Sequence, residues 1–130
     1  YYASRGLGDV YKRQQYEISN FSKPSFESKH NTKYWILDDY LGLGKSAHSL
    51  WHGKRFYYDT DWSLKGEGEV DIEEERIMLG LRLNCGIDKS LIKKDFSRFV
   101  KMGLMKESEN KIALTSEGML VSNLIISELL

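Results

Sequence analysis

The sequence predicts an α/β fold in two parts: strands and helices that alternate over residues 15–69, and a small winged-helix-like α+β domain over residues 70–130. Short runs of β-branched and aromatic residues, separated by loops, indicate strands in the first part. The second part shows three helical patterns, two short strand patterns and a closing helix. That order of helices and hairpin is typical of a winged-helix domain.

The composition predicts a soluble, cytoplasmic protein. Of the 130 residues, 41% are hydrophobic and 29% are charged, so the chain can bury a real core. The 19 basic side chains balance the 19 acidic ones, and no overall charge is left to attract polyanions or anionic lipid. No apolar run approaches the roughly 20 residues that cross a bilayer, so no transmembrane segment is expected.

Residues 1–14, YYASRGLGDVYKRQ, show neither a strand period nor a helix period. They resemble the peptide that results when a sequencing-adapter sequence is translated at the end of an assembled read. We therefore expect them to be a non-native leader and exclude them from the fold. A flexible leader is the alternative, and neither interpretation gives the segment a function.

Two strands and a helix are expected in the next stretch. Residues 15–19, QYEIS, predict a strand that ends in a loop at Pro24, the single proline of the chain. Residues 27–37 have a helical composition. Residues 40–44, YLGLG, predict a second buried strand that enters a glycine-containing turn.

A hairpin and a linker complete the first part. His52 and Gly53 lie between two β-prone runs, and glycine accepts positive φ at no steric cost, so the pair predicts a two-residue turn. Residues 65–69, KGEGE, have the composition of a linker to the second part.

The second part opens with three helices. Asp71 is expected to cap the first, because the acidic residues that follow it favour the positive end of the helix dipole. This helix stops before Gly86, and the second begins near Asp88. The third covers residues 96–103, with apolar side chains at helical spacing, and closes at Gly103.

The chain is predicted to end in a two-stranded wing and a helix. The strands are GLMKE at residues 103–107 and KIALT at residues 111–115. The closing helix follows and has a wide apolar face. That face is formed by Leu120, Val121, Leu124 and Ile125.

The chain has one cysteine, Cys85. One thiol excludes an intrachain disulfide, and an iron–sulfur cluster normally takes three or four protein ligands. Because Cys85 lies at the expected end of a helix with no histidine beside it, we expect a small buried or turn residue rather than a nucleophile.

Two stretches resemble a known family: YEISNFSKPSFESKHNTKYW at residues 16–35 and DYLGLGKSAHS at residues 39–49. Both are similar to late barrel segments of radical S-adenosylmethionine (SAM) proteins of the oxygen-independent coproporphyrinogen III oxidase family. HNTKYW at residues 30–35 matches the HNxxYW pattern of the HemW branch, the haem chaperones. The tail from about Glu74 resembles the family's small carboxy-terminal domain.

The resemblance implies a carboxy-terminal fragment: the last strands and helices of a partial radical SAM (β/α) barrel, followed by the winged-helix-like domain. The full-length parent is then expected to hold a [4Fe–4S] cluster and S-adenosylmethionine through a CxxxCxxC motif that this sequence lacks. We expect the chain to be inactive alone, and whether the parent is an enzyme stays open. The branch implies that the parent binds haem and passes it to a recipient protein.

The branch also implies a haem site in the HNxxYW motif. Neutral imidazole is the commonest axial donor that proteins supply, so His30 is the candidate ligand of haem iron. Asn31 is expected to orient the imidazole ring, and Tyr34 and Trp35 to stack on a porphyrin face. From the residues alone, the alternative is a surface-helix histidine whose two aromatic neighbours enter the core.

Four further residues are candidates. Gly42 and Gly44 follow the second predicted strand, where they let the backbone approach S-adenosylmethionine or merely relieve crowding. His48 is a second candidate contact to metal or porphyrin, with a strand-end histidine as the alternative. Glu17 would face a barrel interior only if both its neighbours faced away, because strand side chains alternate.

Two positions depart from the family's pattern. The family usually has glycine at the position of Ser25, and a glycine is common in the turn that here contains Lys45 and Ser46. Either positive φ is not required at these positions, or the substituted residues reshape the backbone near the cofactor.

Two other functions stay open. A coproporphyrinogen III oxidase, which forms protoporphyrinogen IX, needs cations for a substrate with several carboxylates, yet residues 16–49 contain no arginine. A winged-helix module would bind nucleic acid, but residues 70–130 carry nine basic and ten acidic side chains, a net charge of −1. A local basic group is formed by Lys89, Lys93, Lys94, Arg98 and Lys101.

Overall fold

The computed structural model describes residues 12–130, so most of the predicted leader lies outside the described residues. The first part contains β1 (Gln14–Gln15), β2 (Phe21–Ser22), α1 (Lys29–Trp35), β3 (His48–Trp51), β4 (Lys54–Tyr58) and β5 (Leu64–Glu69). The second contains α2 (Ile72–Gly80), β6 (Ile87–Asp88), a 3₁₀ turn (Lys89–Leu91), α3 (Ser97–Lys101), β7 (Met105–Glu107), β8 (Lys111–Leu114), α4 (Ser116–Leu120) and α5 (Ser122–Leu129). This mixture confirms the α/β class, while the barrel and the winged helix stay predictions.

Three small antiparallel sheets organise the described residues. β1 pairs with β2, β4 lies between β3 and β5, and β8 lies between β6 and β7. The turn between β3 and β4 is formed by His52 and Gly53, whose φ angles are 49° and 75°. Two consecutive positive φ values are what a two-residue hairpin turn requires, so the predicted hairpin is confirmed.

The predicted linker at residues 65–69 is wrong, because these residues form β5. β5 pairs with β4 from Leu64 opposite Tyr58 to Glu69 opposite Lys54, with a register shift after Arg55. Strand pairing uses backbone N–H and C=O groups, which every residue but proline carries. The glycines of KGEGE removed the side-chain pattern that would have predicted a strand, but they did not remove the pairing.

The second predicted strand, residues 40–44, is also wrong. Only Tyr40 pairs there, as an isolated bridge to Leu50, and the Leu43 side chain is 91% exposed. The first predicted strand, residues 15–19, is reduced to its beginning in β1 and to an isolated bridge from Glu17 to Leu83. An apolar run forms a strand only where a neighbouring strand pairs with it over several residues.

The core lies in the second part of the chain. Its buried members are Ile77, Leu81, Ile87, Ile92, Phe99, Met105, Ile112, Leu114, Met119, Ile125, Ile126 and Leu129. Ile18 from the first part packs against this cluster. In residues 12–69, by contrast, Tyr16 and Leu50 are the buried hydrophobic side chains. The first part is therefore stabilised mainly by packing against the second part, since few of its own hydrophobic side chains are buried.

In the second part, the positions at which the helices begin agree with the prediction better than their lengths do. Asp71 accepts hydrogen bonds from the N–H groups of Glu73 and Glu74, which confirms the cap of α2. Asp88 accepts from Ser90 N–H at 2.9 Å, but the predicted second helix is only one 3₁₀ turn. α3 closes at Gly103, as predicted, with φ of 73°.

The apolar face predicted for the closing helix is wrong for three of its four members. The helix is broken at Val121, which has φ of −119° and separates α4 from α5. Ile125 is fully buried, but the exposed fractions of Leu120, Val121 and Leu124 are 48%, 40% and 59%. The break rotates α5 relative to α4, so that Ile126 and Leu129 enter the core instead.

Ser25 and Ser46 adopt positive φ, 68° and 62°. Ser25 stands where the resembled family usually has glycine, and Ser46 lies in the turn where a glycine is common. A non-glycine residue in this region costs about 1 kcal/mol, and both side chains are exposed, so little packing is lost with them. We expect Ser25→Gly and Ser46→Gly each to raise the urea midpoint of unfolding. Ser19→Gly is the matched control, exposed but without positive φ, and should lower it; equal effects at all three positions would contradict the assignment.

Candidate functional site

The HNTKYW segment forms α1, and the sequence around it fixes both ends. Ser28 caps the helix by accepting a hydrogen bond from Asn31 N–H at 3.2 Å. At the other end, Leu37 takes φ of 57°, and Asp38 N–H donates to the carbonyl of Lys33 at 3.0 Å. These are the backbone bonds of a left-handed helix end, so the motif is held as one short, well-defined helix.

His30 and Tyr34 lie together on one face of α1, because residues four apart are neighbours on a helix. The Tyr34 hydroxyl is 3.1 Å from His30 Nε2, and the two rings meet edge to face with centroids 5.1 Å apart. Both side chains are exposed. The Asn31 side chain forms no hydrogen bond within residues 12–130, so Tyr34 makes the orienting contact that was expected of Asn31.

Trp35 lies on a different face of α1 and points towards the second part of the chain. Its ring is half-buried, and the Arg82 guanidinium lies 5.5 Å from the ring centroid. The indole Nε1 is buried without a hydrogen-bond partner in the described residues. The ring side chains of the motif are therefore divided between two faces, His30 and Tyr34 on one and Trp35 on the other, and Trp35 is not beside the imidazole of His30.

Outside the motif, Tyr40 contacts Tyr34 and lies beside the Arg55–Glu75 pair, a set of residues that the sequence did not predict. The ring of Tyr40 meets that of Tyr34 at a centroid distance of 4.8 Å. Arg55 binds Glu75 through two hydrogen bonds of 2.6 and 2.7 Å. Hydrogen bonding to Glu75, and less strongly to Tyr40, raises the pKa of Arg55, while burial opposes the rise. No local signal could have found this set, since Arg55 and Glu75 are twenty positions apart.

Gly42 and Gly44 have different structural roles. A Cβ atom at Gly42 would lie 2.4 Å from the carbonyl oxygen of His48, and Gly42 N–H donates to Ser49 Oγ at 2.9 Å. The chain's own backbone thus fills that position, which supports relief of crowding there. Gly44 has φ of 96°, and no atom lies within 4 Å of the position that a Cβ atom would take, so only its backbone angle requires glycine.

The polar side-chain atoms of His48 and Glu17 differ in how completely they are paired. His48 begins β3, lies 3.2 Å from a Glu67 carboxylate oxygen and packs beside the ring of Tyr57, which supports the strand-end alternative. Glu17 is completely buried: one carboxylate oxygen accepts from Ser19 N–H at 3.0 Å, and the other has no partner in the described residues. Glu17 bridges to Leu83 of the second part.

The donor set fits one of the implied groups and not the other. An exposed imidazole on a capped helix, His30, is a suitable axial ligand for haem iron. Cys85 is exposed, and it is the single thiol of the chain, so a [4Fe–4S] cluster lacks its ligands here. Within residues 12–130, no three His, Cys, Asp or Glu side chains are grouped as a metal site, and no helix has the length and apolar character to span a membrane.

Comparison with known proteins identifies the class of protein. The chain is 33% identical to the haem chaperone HemW of Bacillus subtilis over 84% of its length, which covers 36% of that relative. It is 38% identical to HemW of Synechocystis over 55% of the chain and 22% of the relative. It is 32% identical to the bovine mitochondrial radical S-adenosyl methionine domain-containing protein 1 over 57% of the chain and 22% of the relative.

These relatives are radical SAM proteins or haem chaperones by name, and the chain belongs to the HemW-like family. The resemblance seen in the sequence is thereby confirmed. The chain spans about a third of the length of the Bacillus relative. No protein-family model and no solved structure matches it.

Proposed function

We propose that the chain is the haem-holding part of a HemW-like carrier, with His30 as the axial ligand, and that the whole cytoplasmic protein passes haem to a recipient protein. The observation that carries the proposal is the imidazole of His30, exposed on a capped helix and held at Nε2 by the Tyr34 hydroxyl. Relatives that are 33% and 38% identical to this chain are named haem chaperones, which supports the assignment.

The chain's own residues explain how His30 remains accessible to haem. When bound, haem supplies an iron centre that accepts a nitrogen lone pair. His30 offers that lone pair, and its exposed ring gives a flat ligand room to approach from solvent. The Tyr34 hydroxyl lies on Nε2 and must leave before an iron can bind there, and because the Tyr34 side chain is 37% exposed it can turn away without disturbing the core.

The basic group of the second part gives little support to nucleic-acid binding. Three of its five members form ion pairs: Lys89 with Glu107, Lys93 with Glu73, and Arg98 with Glu128. A cation paired with a carboxylate has less charge to offer a phosphate. The haem function is therefore preferred.

The proposal is tested by titrating the chain with haem and following the Soret band. We expect His30→Ala to weaken haem binding by about tenfold or more and to shift the band, because the iron loses an axial nitrogen. His48→Ala and His52→Ala are matched controls, since each removes one of the other two histidines, both exposed. A spectrum and affinity that are the same in all three variants and the unsubstituted chain would refute the role of His30.

A further inference from the structure

Another concave surface lies on the other face of α1. It is a groove of about 460 Å³ between the end of α1 and the second part of the chain. Trp35 and Ile36 form one wall, and the opposite wall and floor include Leu83, Ile87 and Leu91. Much of the groove lining is thus apolar, and Trp35 is the aromatic residue among its lining residues.

Two cations line the same groove. Arg76 comes from α2 and Lys111 from β8, and neither forms an ion pair or a side-chain hydrogen bond within residues 12–130. The single acidic lining residue is Asp88, which faces Lys111 across the β6–β8 pair. The groove therefore has one more positive than negative side chain, and Arg76 is its unopposed cation.

We propose that this groove binds a planar, conjugated ligand that carries carboxylates. The indole of Trp35 stacks on the flat ring system, and the carboxylates pair with Arg76 and Lys111. Arg82, which also contacts Trp35, does not line the groove, so it leaves the groove side of the indole open.

The identification of this ligand as a porphyrin rests on the proposed function. The inference that the groove takes a planar ligand with carboxylates rests on the lining residues alone. Protoporphyrin IX, the porphyrin of haem, is planar and conjugated and has two propionates, which matches an aromatic wall with two cations. The site is separate from His30, because His30 and Trp35 lie on different faces of α1. The groove would hold the ring system without using the iron.

The test therefore uses metal-free protoporphyrin IX, which has no iron for His30 to ligate. In a Trp51→Phe/Trp62→Phe background, Trp35 is the remaining tryptophan, and both replaced residues are exposed, at 45% and 60%. We expect saturable quenching of Trp35 fluorescence. Arg76→Ala and Lys111→Ala should each weaken binding by about tenfold, because each removes a charged partner of a carboxylate.

Three controls separate this inference from the proposed function. Lys106→Ala removes an exposed cation of β7 that does not line the groove and should leave binding unchanged. Protoporphyrin IX dimethyl ester, which lacks free carboxylates, should bind weakly. His30→Ala should bind metal-free porphyrin as the unsubstituted chain does, even though it binds haem more weakly. Absence of saturable quenching, or binding that neither Arg76→Ala nor Lys111→Ala weakens, would refute the proposed groove site. Either result would leave the role of His30 untouched.

Discussion

Gly86→Ala is expected to destabilise the chain by about 3 kcal/mol or more, the largest loss of stability that we expect from a single substitution. A Cβ atom at Gly86 would lie 2.0 Å from the carbonyl oxygen of Ile112 and 2.6 Å from Cβ of Ala113. The first of these is a backbone atom of β8, the central strand of its sheet, so it cannot move without loss of strand pairing. Gly86 also has φ of 64°, which adds strain for alanine.

Gly103→Ala is the matched control for this prediction. Gly103 has a similar φ, 73°, but no atom lies within 4 Å of the Cβ position. It should therefore show only the backbone strain, about 1 kcal/mol. The measurement is urea unfolding of both variants, and a loss at Gly86 no larger than that at Gly103 would mean that β8 does not approach Gly86 so closely.

Loss of the Arg55–Glu75 pair is expected to have the second largest effect. The pair joins β4 of the first part to α2 of the second through two hydrogen bonds. The side chains are only 30% and 15% exposed, so removal of one partner leaves the other charge poorly solvated. We expect Arg55→Ala and Glu75→Ala each to cost about 1–3 kcal/mol of unfolding free energy.

A double-mutant cycle separates the pair from the rest of each side chain. The coupling energy should be about 1 kcal/mol or more for Arg55 and Glu75. The control is the Lys93–Glu73 pair, whose side chains are 82% and 73% exposed and whose coupling should be about 0.5 kcal/mol or less. Added salt should abolish the control coupling first. Equal couplings in the two cycles would show that Arg55 and Glu75 are solvated like surface groups.

The sequence predicted those features that depend on neighbours along the chain. Asp71 caps α2 through N–H groups two and three positions on, and the turn at His52 and Gly53 needs only the local φ preference of its residues. The HNTKYW segment was expected to be helical for the same reason, and it also carried the family resemblance. The residues that make each of these interactions lie within a few positions of one another, so the local sequence is enough to predict them.

The candidate site was predicted only in part. His30 was found because its motif is local, and Tyr34 was assigned to porphyrin stacking, whereas in the structure it holds the ring of His30. The stacking role expected of Trp35 beside His30 could not be decided from spacing, because Trp35 contacts Arg82, a residue of the second part that is distant in sequence. The cations of the groove, Arg76 and Lys111, come from a helix and a strand that are far apart in sequence.

The sequence by itself determined that the HNTKYW segment is helical, that Asp71 caps α2 and Gly103 closes α3, and which family the chain resembles. Only the tertiary structure decided that residues 65–69 form a strand, that Leu120 and Leu124 stay exposed, and that Trp35 and His30 serve different surfaces. The physical reason is that strand pairing, helix rotation and burial depend on contacts between distant residues. Local sequence patterns set a preference for helix or strand, and the residues that the fold brings into contact determine which structure forms.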